Sequence, residues 1–197
     1  AKDAVDRPVE NITSKVNTLE NDFIRAEIQC DGTINLFDKQ TKHEYTQLHY
    51  FEDKGELGGP IIHSSPNNNR CYTNIGQNAN IALVCSGPLK ATYRIEHNWM
   101  LPEKLESNIK VHVPHGLNWI DHSMPTRSEN KLSLSMTTEV TLRKGSQKLE
   151  FKTKINNNIK DHRLRILFPT GFSNATHCYV DSPFDVVERK IKIPDSS

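Results

Sequence analysis

The chain has 197 residues, enough for one large domain or two small ones. Its 25 basic and 24 acidic side chains leave a net charge of +1, so charge gives no reason to expect nucleic acid or an anionic membrane as partner. No apolar run approaches the roughly 18 residues of a membrane-spanning helix, and the hydrophobic content of 35% is low for a globular chain.

Residues 1–16 are polar and interrupted by Pro8, and they read as a lead-in. A sandwich domain is expected over 17–197. Phe23 to Ile28 alternates apolar and polar side chains, the period of a half-buried strand. Asp31-Gly32 is a turn signal, Thr33 to Phe37 the returning strand, and Glu44 to Phe51 a third strand of less regular pattern. Residues 52–80 hold Gly55, Gly58, Gly59, Pro60, Pro66 and many asparagines. They predict a long loop with room for one short strand, and loops of that length are often functional. Strands are expected again over Ile81 to Cys85 and Leu89 to Trp99, where Tyr93, Ile95, His97 and Trp99 share one face.

Residues 101–130 mix prolines, histidines and charges and read as a second long connection, with a short strand expected over Ile109 to Val113. Lys131 to Leu142 alternates again. Lys144-Gly145-Ser146 predicts a hairpin turn into Leu149, Phe151, Thr153 and Ile155. Asn156-Asn157-Asn158 ends that run, and Leu164, Ile166 and Phe168 make a third. The expectation is a three-stranded antiparallel meander with one oily face, covered by a second layer. Thr176 to Val180 is the last strand expected, followed by a mostly polar tail. Helical periodicity is missing throughout, and recurring strands with turns between them predict an all-β antiparallel β-sandwich.

Chemistry is sparse in this pattern. Cys30, Cys71, Cys85 and Cys178 are far apart and form no CxxC pair; reduced, mostly packed thiols are expected. His112, His115 and His122 sit in one irregular stretch, but their spacing matches no zinc-site pattern. Glu52 with Asp53, and Asp181 with Asp185, are neighbouring acids that glycoside hydrolysis could use, yet such neighbours in polar loops are usually only solvated. Gly55-x-x-Gly58-Gly59 does not lie between a strand and a helix, so it makes no nucleotide loop. Residue pattern alone ends at a β-sandwich with two long loops, a fold that does not choose a function.

Three stretches carry a resemblance. VTLRKGSQKLEFKTKINNNIKDHRLRILFPTG followed by YVDSPFDVVER, LENDFIRAEIQCDGTINLFDKQTKHEY, and FEDKGELGGP resemble, in order, the C-terminal β region of glycoside hydrolase family 38 α-mannosidases. The bacterial branch that includes mannosylglycerate hydrolases is the nearest match. The resemblance spans roughly residues 17–194 and is weakest over 103–130. It implies a galactose-mutarotase-like super-sandwich, a fragment of a multidomain retaining enzyme acting on terminal α-mannosides. The zinc ion, nucleophile and acid/base carboxylate would then lie in an upstream catalytic domain, with a helical domain between. No catalytic residue and no metal ligand is expected in this chain, which would be inactive alone. A cytoplasmic, bacterial location is implied in the same way.

The resemblance also implies substrate-contacting positions. Arg189, after Tyr179-Val180-Asp181-Ser182, matches an arginine near the sugar, and a guanidinium can hold sugar hydroxyls or a carboxylate. Asp181 is expected to buttress it. The loop with Gly58 and Gly59 can bring backbone close to a sugar, but the tyrosine that relatives present there has no counterpart between Gly55 and Pro60. The alternative reading is a free-standing carbohydrate-binding module, which needs exposed aromatics; Trp119 is its best candidate.

Overall fold

The computed structural model describes residues 12–13, 15–58, 63–66, 69–106 and 125–191, and they contain strands, turns and loops but no helix. Strands β1 (Thr18–Glu20), β2 (Ile24–Ile28), β3 (Ile34–Asp38) and β4 (Glu44–Leu48) form one antiparallel sheet in that order. β5 (Tyr50–Gly55) and β6 (Tyr72–Thr73) belong to a second sheet. β7 (Asn80–Ser86) and β8 (Lys90–Pro102) open a third, and β9 (Leu105–Glu106) pairs with β10 (Thr126–Arg127) as a short ribbon. β11 (Lys131–Arg143) and β12 (Leu149–Asn156) complete the third sheet in the order β12-β11-β8-β7. β13 (His162–Leu167) returns to the second, giving β13-β5-β6, while β14 (His177–Ser182) and β15 (Asp185–Lys190) pair only with each other among the described strands.

The long pair β8 and β11 is in register over thirteen residues and forms the floor of the sandwich. Strict alternation turns Ala91, Tyr93, Ile95, His97, Trp99 and Leu101 inward from β8, and Leu134, Met136, Thr138, Val140 and Leu142 inward from β11. The outer face is polar: Glu139 sits between Arg94 and Lys152, and Thr137 between Glu96 and Lys154. Opposite charges facing across strands favour this register, and the outer face stays in water.

Two apolar clusters lie along that floor. Leu19, Ile24, Ala26, Ile28 and Ile34 of the first sheet, with Ile12 ahead of it, cluster with Ala91, Tyr93, Ile95, Val140 and Leu142. Phe51 and Ile159 pack on Trp99, Leu101, Leu134 and Met136. Full burial of one such large side chain contributes about 1.5–3 kcal/mol. Ile12, inside the stretch read as a lead-in, is thus part of the first cluster.

A polar belt separates the two clusters. His97 Nε2 donates to the Asp31 carbonyl at 2.9 Å, Asn74 Oδ1 accepts from the Phe51 N–H at 2.7 Å, and Asp31 Oδ1 accepts from the Thr33 N–H and hydroxyl at 3.0 and 2.8 Å. Gly32 turns at φ +77, and a Cβ there would lie 2.7 Å from both His97 Cε1 and Ile95 Cγ2. The Asp-Gly turn therefore serves twice, for its left-handed backbone and for its close approach to the floor strand.

Four expectations are corrected here. The meander does not form: β12 pairs β11, but β13 pairs β5 across the sandwich. The expected third strand, Glu44 to Phe51, is two strands in different sheets, broken at His49, where φ is +63. A left-handed residue ends the ladder on one sheet and swings the chain into the next. The four cysteines are free, as expected, but Cys30, Cys71 and Cys178 are exposed rather than packed. Within the tail expected after Val180, Asp185–Lys190 is instead the second strand of a hairpin, and residues 192–197 lie outside the described residues. The short strand expected over 109–113 lies outside the described residues.

Candidate functional site

The positions singled out by resemblance fall on two separate features. The first is the β14–β15 hairpin. The chain leaves the sandwich at Phe172, whose ring stacks on His43 at 5.4 Å. The two strands then pair from His177 opposite Lys190 to Ser182 opposite Asp185, joined by Pro183-Phe184. Proline suits the first turn position by its fixed φ, and the second needs a positive φ, here +80 at Phe184.

Register decides which side chains share a face. Arg189 is opposite Cys178 and lies on the same face as Val180 and Val187; Asp181 is opposite Val186 and shares the other face with Tyr179 and Glu188. Arg189 and Asp181 are therefore not brought together, and nothing in the hairpin lets Asp181 buttress Arg189. Glu188 is bonded across the hairpin by the Tyr179 hydroxyl at 3.0 Å, on the face away from Arg189. The Arg189 side chain is exposed and has no hydrogen bond or ion pair among the described residues. Its five N–H donors are available to a ligand.

The second feature is the loop after β5. Gly58 is exposed at φ +96, and Gly59 lies outside the described residues. Glu56 organises what is seen of this loop. It accepts from the Ser64 N–H at 2.9 Å and pairs with His63 Nδ1, and these bonds hold its carboxyl below the usual range. Asn69 clamps the loop root, accepting from the Gly55 N–H at 2.7 Å and donating to its carbonyl at 3.1 Å.

Neighbouring acids do not form catalytic pairs. Glu52 and Asp53 point to opposite faces of β5: Glu52 pairs with Arg165 and lies 3.5 Å from Lys54, whereas Asp53 is fully buried. Asp181 and Asp185 likewise fall on opposite faces of the hairpin, with Asp185 capping the Val186 N–H at 2.7 Å.

Asp53 figured in the sequence only as a neighbour of Glu52, and its buried role did not show there. It accepts from Arg127 Nη2 at 2.7 Å and from His162 Nδ1 at 2.5 Å, inside the protein. Arg127 Nε and Nη1 are buried with no hydrogen-bond partner among the described residues, and His162 Nε2 lies 3.1 Å from Asn157 Oδ1. This cluster pins β10 and β13 to β5. The available signal was Asp53 two residues after Phe51, an acid in phase with an inward aromatic. His112, His115, His122 and Trp119 lie outside the described residues, among which no group of three or more His, Cys, Asp or Glu is placed to hold a metal ion.

An all-β sandwich with a projecting hairpin is the class of protein these observations define. The family model for the glycosyl hydrolases family 38 C-terminal domain matches residues 19–197, and the chain belongs to that family. A protein of Halalkalibacterium halodurans, whose name provisionally assigns it mannosylglycerate hydrolysis, is 31% identical over 174 residues, 88% of this chain and 19% of its own. An α-mannosidase from Enterococcus faecalis V583 has 32% identity and a TM-score of 0.82, covering 94% of this chain and 21% of that one. A second family 38 protein from Enterococcus faecalis has 32% identity and a TM-score of 0.79, covering 92% and 22%. The chain thus spans about a fifth of the length of the relatives it matches.

Proposed function

We propose that this chain is the non-catalytic C-terminal β-sandwich of a retaining α-mannosidase that hydrolyses terminal α-mannosides. It supports the catalytic domain and lends Arg189 to the substrate. The observation that carries this reading is the family 38 C-terminal match over residues 19–197, in relatives about five times as long. The catalytic and helical domains, and the zinc ion with its ligands, belong in the remainder of the polypeptide. Exposed free thiols at Cys30, Cys71 and Cys178 fit a reducing bacterial cytoplasm.

Arg189 suits the role because its guanidinium is charged, exposed and unengaged among the described residues. The name of the Halalkalibacterium relative implies a substrate bearing a carboxylate, which a planar fork of donors holds bidentately. The Gly58 turn, with no neighbour to a Cβ within 4 Å, leaves backbone open to a sugar. Asp181 faces the other side of the hairpin, so any contact it makes with substrate is separate from that of Arg189.

The test is made on the native gene product. Its mass on a denaturing gel is expected to be several times the 22.5 kDa of this chain, with α-mannosidase activity that the chain alone lacks. Arg189→Ala in the intact enzyme is expected to lower kcat/KM by about 10–100-fold, the loss of one charged hydrogen-bonding partner. A native band near 22.5 kDa, with mannose binding by the chain itself, would make it a free-standing carbohydrate-binding module instead.

A further inference from the structure

The β14–β15 hairpin has no third strand among the described residues, and none of its twelve strand residues is buried. Two strands alone are marginally stable in water. Tyr179, Val186, Val187 and the following Ile191 are exposed large side chains, and Phe184 at the tip is fully exposed. Phe184 also holds φ +80, a conformation that glycine or asparagine adopts readily and a bulky aromatic rarely does. An aromatic held outward at a backbone cost, on an otherwise unsupported hairpin, has the character of an interface anchor. The outer face of the third sheet, by contrast, is laid with charged side chains, Glu139 opposite Arg94 and Lys152, and Arg143 paired with Glu150.

We infer that the hairpin is an interface clasped by the amino-terminal part of the same full-length polypeptide, with Phe184 seated in an apolar recess there. The occupant follows from length and family: about four-fifths of each matched relative lies outside the region that aligns with this chain, and the matched family is a C-terminal domain. The inference rests on the reading of the chain as a C-terminal domain and deepens it, because it states how Arg189 would be carried to the substrate. An ordered, docked hairpin positions a guanidinium far better than a loose one.

Backbone hydrogen exchange tests this in the intact gene product against residues 1–197 alone. The amides of His177–Lys190 are expected to exchange at least 100-fold more slowly in the intact protein. Equal rates in an intact protein that still hydrolyses α-mannosides would overturn the docking and leave the enzyme reading standing. A native product of 22.5 kDa would overturn both. Protection that grows with concentration in residues 1–197 would name a second copy as occupant and overturn the inference. Phe184→Gly separates anchor from fold, since glycine relieves the left-handed backbone. The thermal midpoint of residues 1–197 is expected to hold or rise, while hairpin protection in the intact protein falls at least tenfold. Unchanged protection would show that Phe184 is no anchor.

Discussion

His49 and Phe151 lie ring on ring, their centroids 4.7 Å apart and their planes 7° from parallel. The stack joins the corner between the first and second sheets to β12 of the third. Phe51 and Phe168 close around the same imidazole edge-on, at 5.3 and 5.6 Å. Thr153 Oγ1 lies 3.3 Å from its Nε2. One histidine thus closes the sandwich where its backbone changes sheets.

Acid should act on this corner. Burial, with a smaller contribution from the nearby His97, lowers the pKa of His49 from its ordinary 6.5 to about 4. The unfolded chain takes up the proton first, so the neutral imidazole supports the fold fully above pH 6.5. That support is lost as pH falls toward 4. The shift corresponds to roughly 3 kcal/mol. Urea denaturation from pH 7 to 4 checks it: His49→Phe, which keeps an aromatic ring but cannot titrate, should show a shallower acid loss than the wild type.

Removing Asp53 should be costly. It leaves Arg127 buried beside His162 with no counter-charge among the described residues, where Arg127 already has two nitrogens without a hydrogen-bond partner. Asp53→Ala is expected to destabilise by about 3–5 kcal/mol. Pairing Asp53→Leu with Arg127→Met replaces both charges by apolar groups and should recover much of that loss. A double mutant no more stable than Asp53→Ala would show that packing, not the orphaned charge, sets the cost.

At Gly32, a single methyl group is enough to disturb the polar belt. The added Cβ would meet His97 and Ile95 at 2.7 Å with the backbone already left-handed. Gly32→Ala is expected to cost about 2–4 kcal/mol, from strain and overpacking together. Chemical denaturation gives the value, and a midpoint equal to wild type would mean that the turn relaxes freely.

Asn74 joins the belt to β5. Its Oδ1 accepts the Phe51 N–H, and its Nδ2 lies 3.4 Å from the Asp31 carbonyl. Asn74→Ala should leave the Phe51 N–H buried and unpaired, at a cost of about 1–3 kcal/mol. The same change should speed exchange of the Phe51 amide, which a general loss of stability would not do selectively.

Asp31 shows how such a belt survives inside a protein. Burial pushes its carboxyl pKa up, but donors from Gly76, at 2.9 Å, and from Thr33 outweigh that and hold it below the usual range. Its charge therefore supports the fold at neutral pH, and that support fades as pH falls through its depressed pKa.

Alternation alone exposed most of the strands, because a strand buried on one face must repeat every two residues. β2, β3, β7, β8, β11, β12 and β13 each lie within a residue or three of where the pattern puts them. The family, too, was legible in several ordered motifs, and the model match over 19–197 agrees with them. What the chain could not show by itself is partnership between distant segments. β13 carries the pattern of a meander strand, yet it pairs β5, more than a hundred residues earlier, because only the assembled layers set which edge lies alongside it. Asp53 looked like half of a solvated acid pair until Arg127 and His162, each more than seventy residues away, closed around it. The break at His49 and the hairpin tip at Phe184 were hidden for a related reason. Both use a positive φ on a residue other than glycine, which residue pattern does not mark: at His49 the packed rings of Phe51, Phe151 and Phe168 surround that backbone, whereas Phe184 adopts it at an exposed tip.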